Sequence, residues 1–157
     1  MKNIFKLSLW VMLVASLTSC FENPNLIYNG PTVVEFATAV TTAPAAGRTF
    51  PLLTVSNGAG IQRARLNLVG PQAPVDRSIR VVVDAPNTTA VAGTHFRLVN
   101  STVTIPANSS FGDVEIEILR VPAQTGASVN VVLLLEAISD DVKPSENFKR
   151  LGWTIRL

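Results

Sequence analysis

The segment DVEIEIL, Asp113 to Leu119, alternates charged and aliphatic side chains at every step. Successive side chains of a β-strand point to opposite faces, so only an extended chain turns this pattern into one apolar and one polar surface. RARLNLV does the same, with Ala64, Leu66 and Leu68 set against Arg63, Arg65 and Asn67, and SIRVVVD places Ile79, Val81 and Val83 on one face. Further strand candidates are residues 32–36, 50–55, 96–99, 102–105, 129–137 and 151–157, separated by Gly, Pro and Asn turns.

No comparable pattern at the helical period of 3.6 occurs in this part of the chain. The segment SDDVKPSENFKR carries caps in Ser139 and Asp140, yet Pro144 interrupts it within about a turn. Residues 129–137 are apolar on both faces through VVLLL, which predicts a central strand covered on both sides. Trp153 falls in phase with Leu151, Ile155 and Leu157, the position of a core anchor rather than a ligand platform. The expected fold is all-β, a sandwich or barrel of about eight strands.

The first residues follow another logic. Lys2 and Lys6 precede the apolar run LSLWVMLVASL, and Thr18 and Ser19 end it before it reaches the about 20 residues that a membrane-spanning helix needs. This is the layout of a secretory signal peptide. LTSC, formed by Leu17, Thr18, Ser19 and Cys20, resembles a bacterial lipobox, in which the cysteine thiol accepts a diacylglycerol group and becomes the first mature residue. Competing readings are an ordinary signal peptide cut after small residues, or a buried structural thiol. The expected organisation is a lipoprotein signal peptide over residues 1–19, a lipidated cysteine and tether over 20–31, and one domain over 32–157. The address implied is the outer membrane, on either the periplasmic or the cell-surface face. Phe21 offers no aspartate retention cue and Glu22 is a single acid.

Removing Lys2 and Lys6 with the leader leaves as many basic as acidic residues, 11 of the latter. A neutral chain with no clustered basic stretch argues against nucleic acid as a partner. Cys20 is the only cysteine, so no disulfide forms within the chain and the fold rests on its core.

Thr88 to Arg120 is the most distinctive stretch. Gly93, Thr94, His95 and Phe96, then Ile105, Pro106, Ala107 and Asn108, then the alternating Val114 to Arg120 resemble the Calx-β class of immunoglobulin-like domains. Together with the lipobox, the stretch is similar to Calx-β-like lipoprotein domains of Bacteroidota, often encoded near Sus-type nutrient-uptake systems. The resemblance implies an immunoglobulin-like β-sandwich. Calcium-binding members of that class place carboxylates directly after the long strand, whereas here RVPAQTG, Arg120 to Gly126, contains none. Calcium takes six to eight oxygens. Asp140 and Asp141 are the weak metal candidates, with Asp84 and Glu136 as possible additions, and no metal or other cofactor is expected.

His95 is the sole histidine and the natural candidate for acid or base work, yet its place at a strand entrance suits a hydrogen bond to loop backbone. No Gly-x-Ser-x-Gly elbow and no second histidine accompany it. Glu115 and Glu117 face outward, with Arg63, Arg65 or Arg80 as expected cross-strand partners. Glycan modules stack sugars on exposed aromatics, for which Tyr28 is the candidate once Trp153 is assigned to the core. The Asn-x-Ser/Thr matches at Asn87, Asn100 and Asn108 are read as turn composition.

Three function classes remain open on this reading. The first is a lipid-anchored, non-catalytic binding or accessory module of the cell envelope, tied to glycan or nutrient acquisition through an envelope protein or a glycan partner. The second is a structural subunit of a fimbria-like assembly joined by strand addition, and the third is an enzyme. The lipid anchor is directly testable: Cys20→Ala should abolish incorporation of labelled palmitate and release the protein from the membrane fraction. Unchanged fractionation of that variant would refute the anchor.

Overall fold

The computed structural model describes residues 28–157, so the leader, the lipobox Leu17 to Cys20 and most of the tether lie outside the described residues. The described chain forms β1 (Val33–Phe36), a five-residue helix α1 (Ala37–Thr41), β2 (Leu52–Ser56), β3 (Gly60–Val69) and β4 (Arg77–Val83). After a 3-10 turn at Ala85–Asn87 come β5 (Phe96–Leu98), β6 (Thr102–Ile105), β7 (Phe111–Ile118), β8 (Ser128–Ala137), β9 (Lys143–Pro144) and β10 (Arg150–Arg156). They build two five-stranded sheets, one ordered β5-β7-β3-β1-β9 and the other β2-β10-β8-β4-β6.

In the first sheet β3 and β7 run antiparallel with Arg63 opposite Glu115 and Arg65 opposite Asp113. This register sends Ala64, Leu66, Leu68, Val114, Ile116 and Ile118 to the interior, all buried. A slip of one residue would exchange the two faces and bury the charges, so the alternation itself fixes the pairing. Phe36 from β1 and Phe96 from β5 complete the inner face.

The second sheet meets it with Ile79 and Val81 of β4, Val131, Leu133 and Leu135 of β8, and Leu151, Trp153 and Ile155 of β10. Trp153 is only 2 % exposed, in the phase expected from its neighbours. Val132, on the opposite face of β8, is also fully buried. The doubly apolar strand is therefore central and covered on both sides at this point, between β10 and β4.

Two glycines permit close approaches that a methyl group would block. A Cβ on Gly152 would clash with Leu52 Cδ2 and stand 3.0 Å from Val132 Cγ2, on the outer face of the second sheet. A Cβ on Gly112 would stand 2.7 Å from Val103 Cγ1, where β6 and β7 of opposite sheets come together. Both gaps are already filled, so overpacking would cost about 1 to 3 kcal/mol.

All nine sequence-derived strand segments are present, and the all-β sandwich is the observed fold. The described residues form ten strands rather than about eight. The added strand, β9, lies within the segment considered for a helix and pairs in parallel with β1. Pro144 lacks an N–H, but the edge position demands none of it, and Ser145 N–H continues the contact to Val34 C=O at 2.8 Å. The short helix α1 was not visible as a periodic pattern because one turn cannot display a period. Replacing Trp153 by Ala should destabilise the protein by about 3 to 5 kcal/mol, measured by denaturant unfolding. A near-neutral effect would show that Trp153 does not anchor the core.

Candidate functional site

The charged residue buried most deeply among the described residues is Asp84, 6 % exposed at the end of β4. Its backbone N–H donates to Val132 C=O at 2.8 Å, and the chain then leaves the strand through the 3-10 turn, with Asn87 N–H bonded to Asp84 C=O at 3.1 Å. Pro86 sits inside that turn, where its fixed φ suits the geometry. Beyond it, threonine side chains take over the ladder that β4 abandons. Thr88 Oγ1 accepts from Val132 N–H at 3.0 Å and Thr89 Oγ1 accepts from Asn130 N–H at 2.9 Å.

An unpaired buried carboxylate would cost several kcal/mol. Asp84 Oδ2 instead accepts a 2.7 Å hydrogen bond from Arg150 Nε and a 3.0 Å bond from Asn87 Nδ2. Asn87 passes the connection on, its Oδ1 accepting from an Arg48 terminal nitrogen at 3.2 Å. The Arg48 guanidinium also lies 5.4 Å from the Phe50 ring centroid, in cation-π contact. The result is a chain of Arg150, Asp84, Asn87 and Arg48 that joins β10, the turn after β4 and the loop before β2.

This chain borders an open hollow of about 490 Å³ lined by residues 46–50, Asn87 and Arg150. A second hollow of the same size, about 490 Å³, shares Thr49, Phe50 and Arg150 and adds Glu146 and Lys149. There the Lys149 ammonium donates to Glu146 at 2.7 Å. That hydrogen bond, with the lysine charge behind it, holds the Glu146 carboxyl below its usual range. A third hollow, about 590 Å³, lies on the outer face of the second sheet among Thr54, Ser128, Thr154 and Arg156.

Of the residues singled out in the sequence, Asp84 and Asn87 belong to this network, and the others lie elsewhere. His95 Nδ1 accepts from Val91 N–H at 2.9 Å, and the His95 backbone N–H donates to Val91 C=O at 2.8 Å, so the residue staples the loop before β5. Tyr28 is exposed, but its hydroxyl bonds to Pro31 C=O at 2.8 Å, and the ring lies over Gly30. Asp84 is separated from Asp140 and Asp141. It stands beside Val132, whereas those two follow Ala137 at the other end of the β4–β8 pairing. Among the described residues no three His, Cys, Asp or Glu side chains come together as a metal site. Ser139 donates to Asp141 and lowers its pKa, and Glu136 faces Arg80 across β4 and β8.

The three outward acids of β7 are paired. Glu115 meets Arg63 at 2.7 Å, Asp113 meets Arg65 at 3.5 Å, and Glu117 meets Arg97 at 2.7 Å. Arg97 replaces Arg80, which belongs to the other sheet, as the third partner. Glu35, beside this array on β1, is half-buried and its pKa is raised by desolvation. The three Asn-x-Ser/Thr asparagines all serve local structure. Asn87 bridges Asp84 and Arg48, Asn108 takes a left-handed φ of 57°, and Asn100 bonds both Glu115 N–H, at 2.7 Å, and Asp113 C=O, at 3.2 Å.

Residues 55–154 match the family described as Domain of unknown function (DUF4843). The chain belongs to that family. No curated protein matches the sequence. In fold it is similar to the apo-form Calx CBD1 domain, with a TM-score of 0.62 at 16 % identity, covering 81 % of this chain and 97 % of that one. It also resembles CBD12 from CALX1.2, with a TM-score of 0.59 at 16 % identity over 78 % of this chain and 43 % of that one. A two-domain protein of unknown function from Bacteroides fragilis gives a TM-score of 0.53 at 9 % identity, covering 81 % of this chain and 46 % of that one. At these identities the likeness is one of fold. The immunoglobulin-like, Calx-β-like β-sandwich expected from Thr88 to Arg120 is the one observed.

A calcium site saturated a hundredfold above its Kd would add about 2.7 kcal/mol of stability, which is roughly 3 to 6 °C in Tm for a domain of this size. The scattered acids lead us to expect equal melting temperatures in millimolar calcium and in chelator. A calcium-dependent rise of that size, lost on removing Asp140 and Asp141, would overturn the expectation.

Proposed function

We propose that this protein is a lipid-anchored, non-catalytic binding module of the cell envelope, held at the outer membrane through Cys20. The observation that carries the reading is how the charged groups are spent. Asp84, buried and hydrogen-bonded, positions Arg150 and Asn87 instead of facing a reacting atom, while His95 is bonded to backbone on Nδ1. A rigid sandwich then presents the loop 44–50 and its two hollows as the surface for a partner. The partner class in this reading is a glycan or an envelope protein met during nutrient acquisition, with no nucleic acid and no cofactor.

One observation favours the alternative, a structural subunit joined by strand addition. β2 pairs in parallel with β10, and among the described residues no strand pairs with its other side. Its five residues offer a short edge, with Leu53 and Val55 half-buried toward the core. An incoming strand would extend the sheet there.

Photocrosslinkable residues separate the two readings. Placed in living cells at Thr49, on the loop between the hollows, the probe should capture a glycan or a different envelope protein. Placed at Thr54 on β2, it should remain largely unreacted. A ladder of self-crosslinked multimers from Thr54, with nothing from Thr49, would replace the binding module by the assembly subunit.

A further inference from the structure

Arg48 and Arg150 are the two charged residues that line the hollow beside the Asp84 network. Both are cations, and each is held in place without filling its hydrogen-bonding capacity. A guanidinium carries five N–H donors. Arg150 uses Nε on Asp84, and Arg48 uses one terminal nitrogen on the neutral Asn87 oxygen. No carboxylate among the described residues stands within ion-pair distance of Arg48. The one anion in the network, Asp84, is 6 % exposed and lies behind Arg150 and Asn87, outside the lining of the hollow. Glu146, in the adjoining hollow and within electrostatic reach of Arg150, is paired with Lys149, so those two charges cancel, and the two guanidiniums against the Asp84 carboxylate leave a single positive charge uncompensated at the rim.

Holding a guanidinium by a neutral amide and an aromatic ring fixes its direction while keeping its charge available. Planar forks of this kind match a carboxylate in bidentate geometry. We propose that this hollow is a binding site for a small carboxylate-bearing ligand, with Arg48 as the direct ligand-binding cation and Asp84 and Asn87 as the residues that position the guanidiniums. The single uncompensated charge matches a monoanion better than a phosphate monoester, which carries nearly two negative charges at neutral pH. The volume, about 490 Å³, lies within the usual range for small-molecule sites and suits a group the size of one or two sugar rings. The Thr49 side chain in the lining adds a hydroxyl able to donate or accept beside the charge. The inference rests on the binding-module reading and names the chemistry of its ligand.

The test uses the full chain in detergent, titrated by calorimetry with three probes: galacturonate, N-acetylglutamate and inorganic phosphate, with galactose as the neutral control. Saturable binding of galacturonate or N-acetylglutamate, absent for galactose, is expected, and the stronger of the two shows whether the carboxylate comes from an acidic sugar or an acidic peptide. Arg48→Ala should weaken that binding at least about tenfold and Arg48→Lys by a smaller factor, because lysine keeps the charge and loses the fork. Melting temperature reports whether each variant stays folded, and Arg63→Ala, on the first sheet, controls for general loss of charge. Failure of both carboxylates to bind, equal affinity for galactose, tighter binding of phosphate, or equal affinity in a folded Arg48→Ala would each overturn the proposal. Captured partners at Thr49 without carboxylate binding would refute this inference alone. The absence of both would refute the binding module as well.

Discussion

Each sheet of this sandwich hides one face against the other, and the remaining structure depends on that one-sided burial. Ala64, Leu66, Leu68, Val114, Ile116 and Ile118 present a continuous inner surface only while Arg63 stays opposite Glu115 and Arg65 opposite Asp113. The exposed ion pairs contribute little individually, about 0 to 1 kcal/mol. The aliphatic residues between them hold the register, at about 25 cal/mol for each Å² of apolar surface removed from water. Trp153 closes the same interior from β10, and Gly112 lets β6 and β7 approach where the sheets meet.

The outer face of the second sheet obeys a different constraint. Leu52, Gly152 and Val132 pack together there, so part of that face is covered instead of solvated. Covering it brings the loop before β2 and the turn after β4 over the sheet, and with them Asp84, Arg150, Asn87 and Arg48. A buried carboxylate is tolerated only with partners, and its partners are the groups that shape the neighbouring hollow. Packing and site geometry are therefore coupled, because the loop and turn that cover this face also carry the groups that satisfy the buried charge.

The likeness to Calx CBD1 concerns how strands are ordered and layered, while the side chains at corresponding ends of a sandwich are free to differ. Here the acids sit on separate elements, with Asp84 at one end of the β4–β8 pairing and Asp140 and Asp141 beyond the other. The polar chemistry of the described chain is concentrated instead in arginine-centred pairs.

The strand pattern was legible in the sequence because alternation is local: DVEIEIL and RARLNLV specify which side chains face inward before any partner strand is known. The phase of Trp153 with Leu151 and Ile155 was readable for the same reason, as was the backbone bond of His95 from its place beside Gly93 and Phe96. The two-residue β9 was not legible, since a single parallel contact with β1 leaves no periodic trace. Arg97 as the partner of Glu117 depended on β5 pairing with β7, which turns and composition do not reveal. The Asp84 and Arg150 pair joins residues 66 positions apart, neither marked by a motif. Sequence by itself determined the faces of the strands, because burial follows each residue's own polarity. Tertiary structure alone decided which charges meet, because that depends on where the folded chain places distant residues and which of them lose their water.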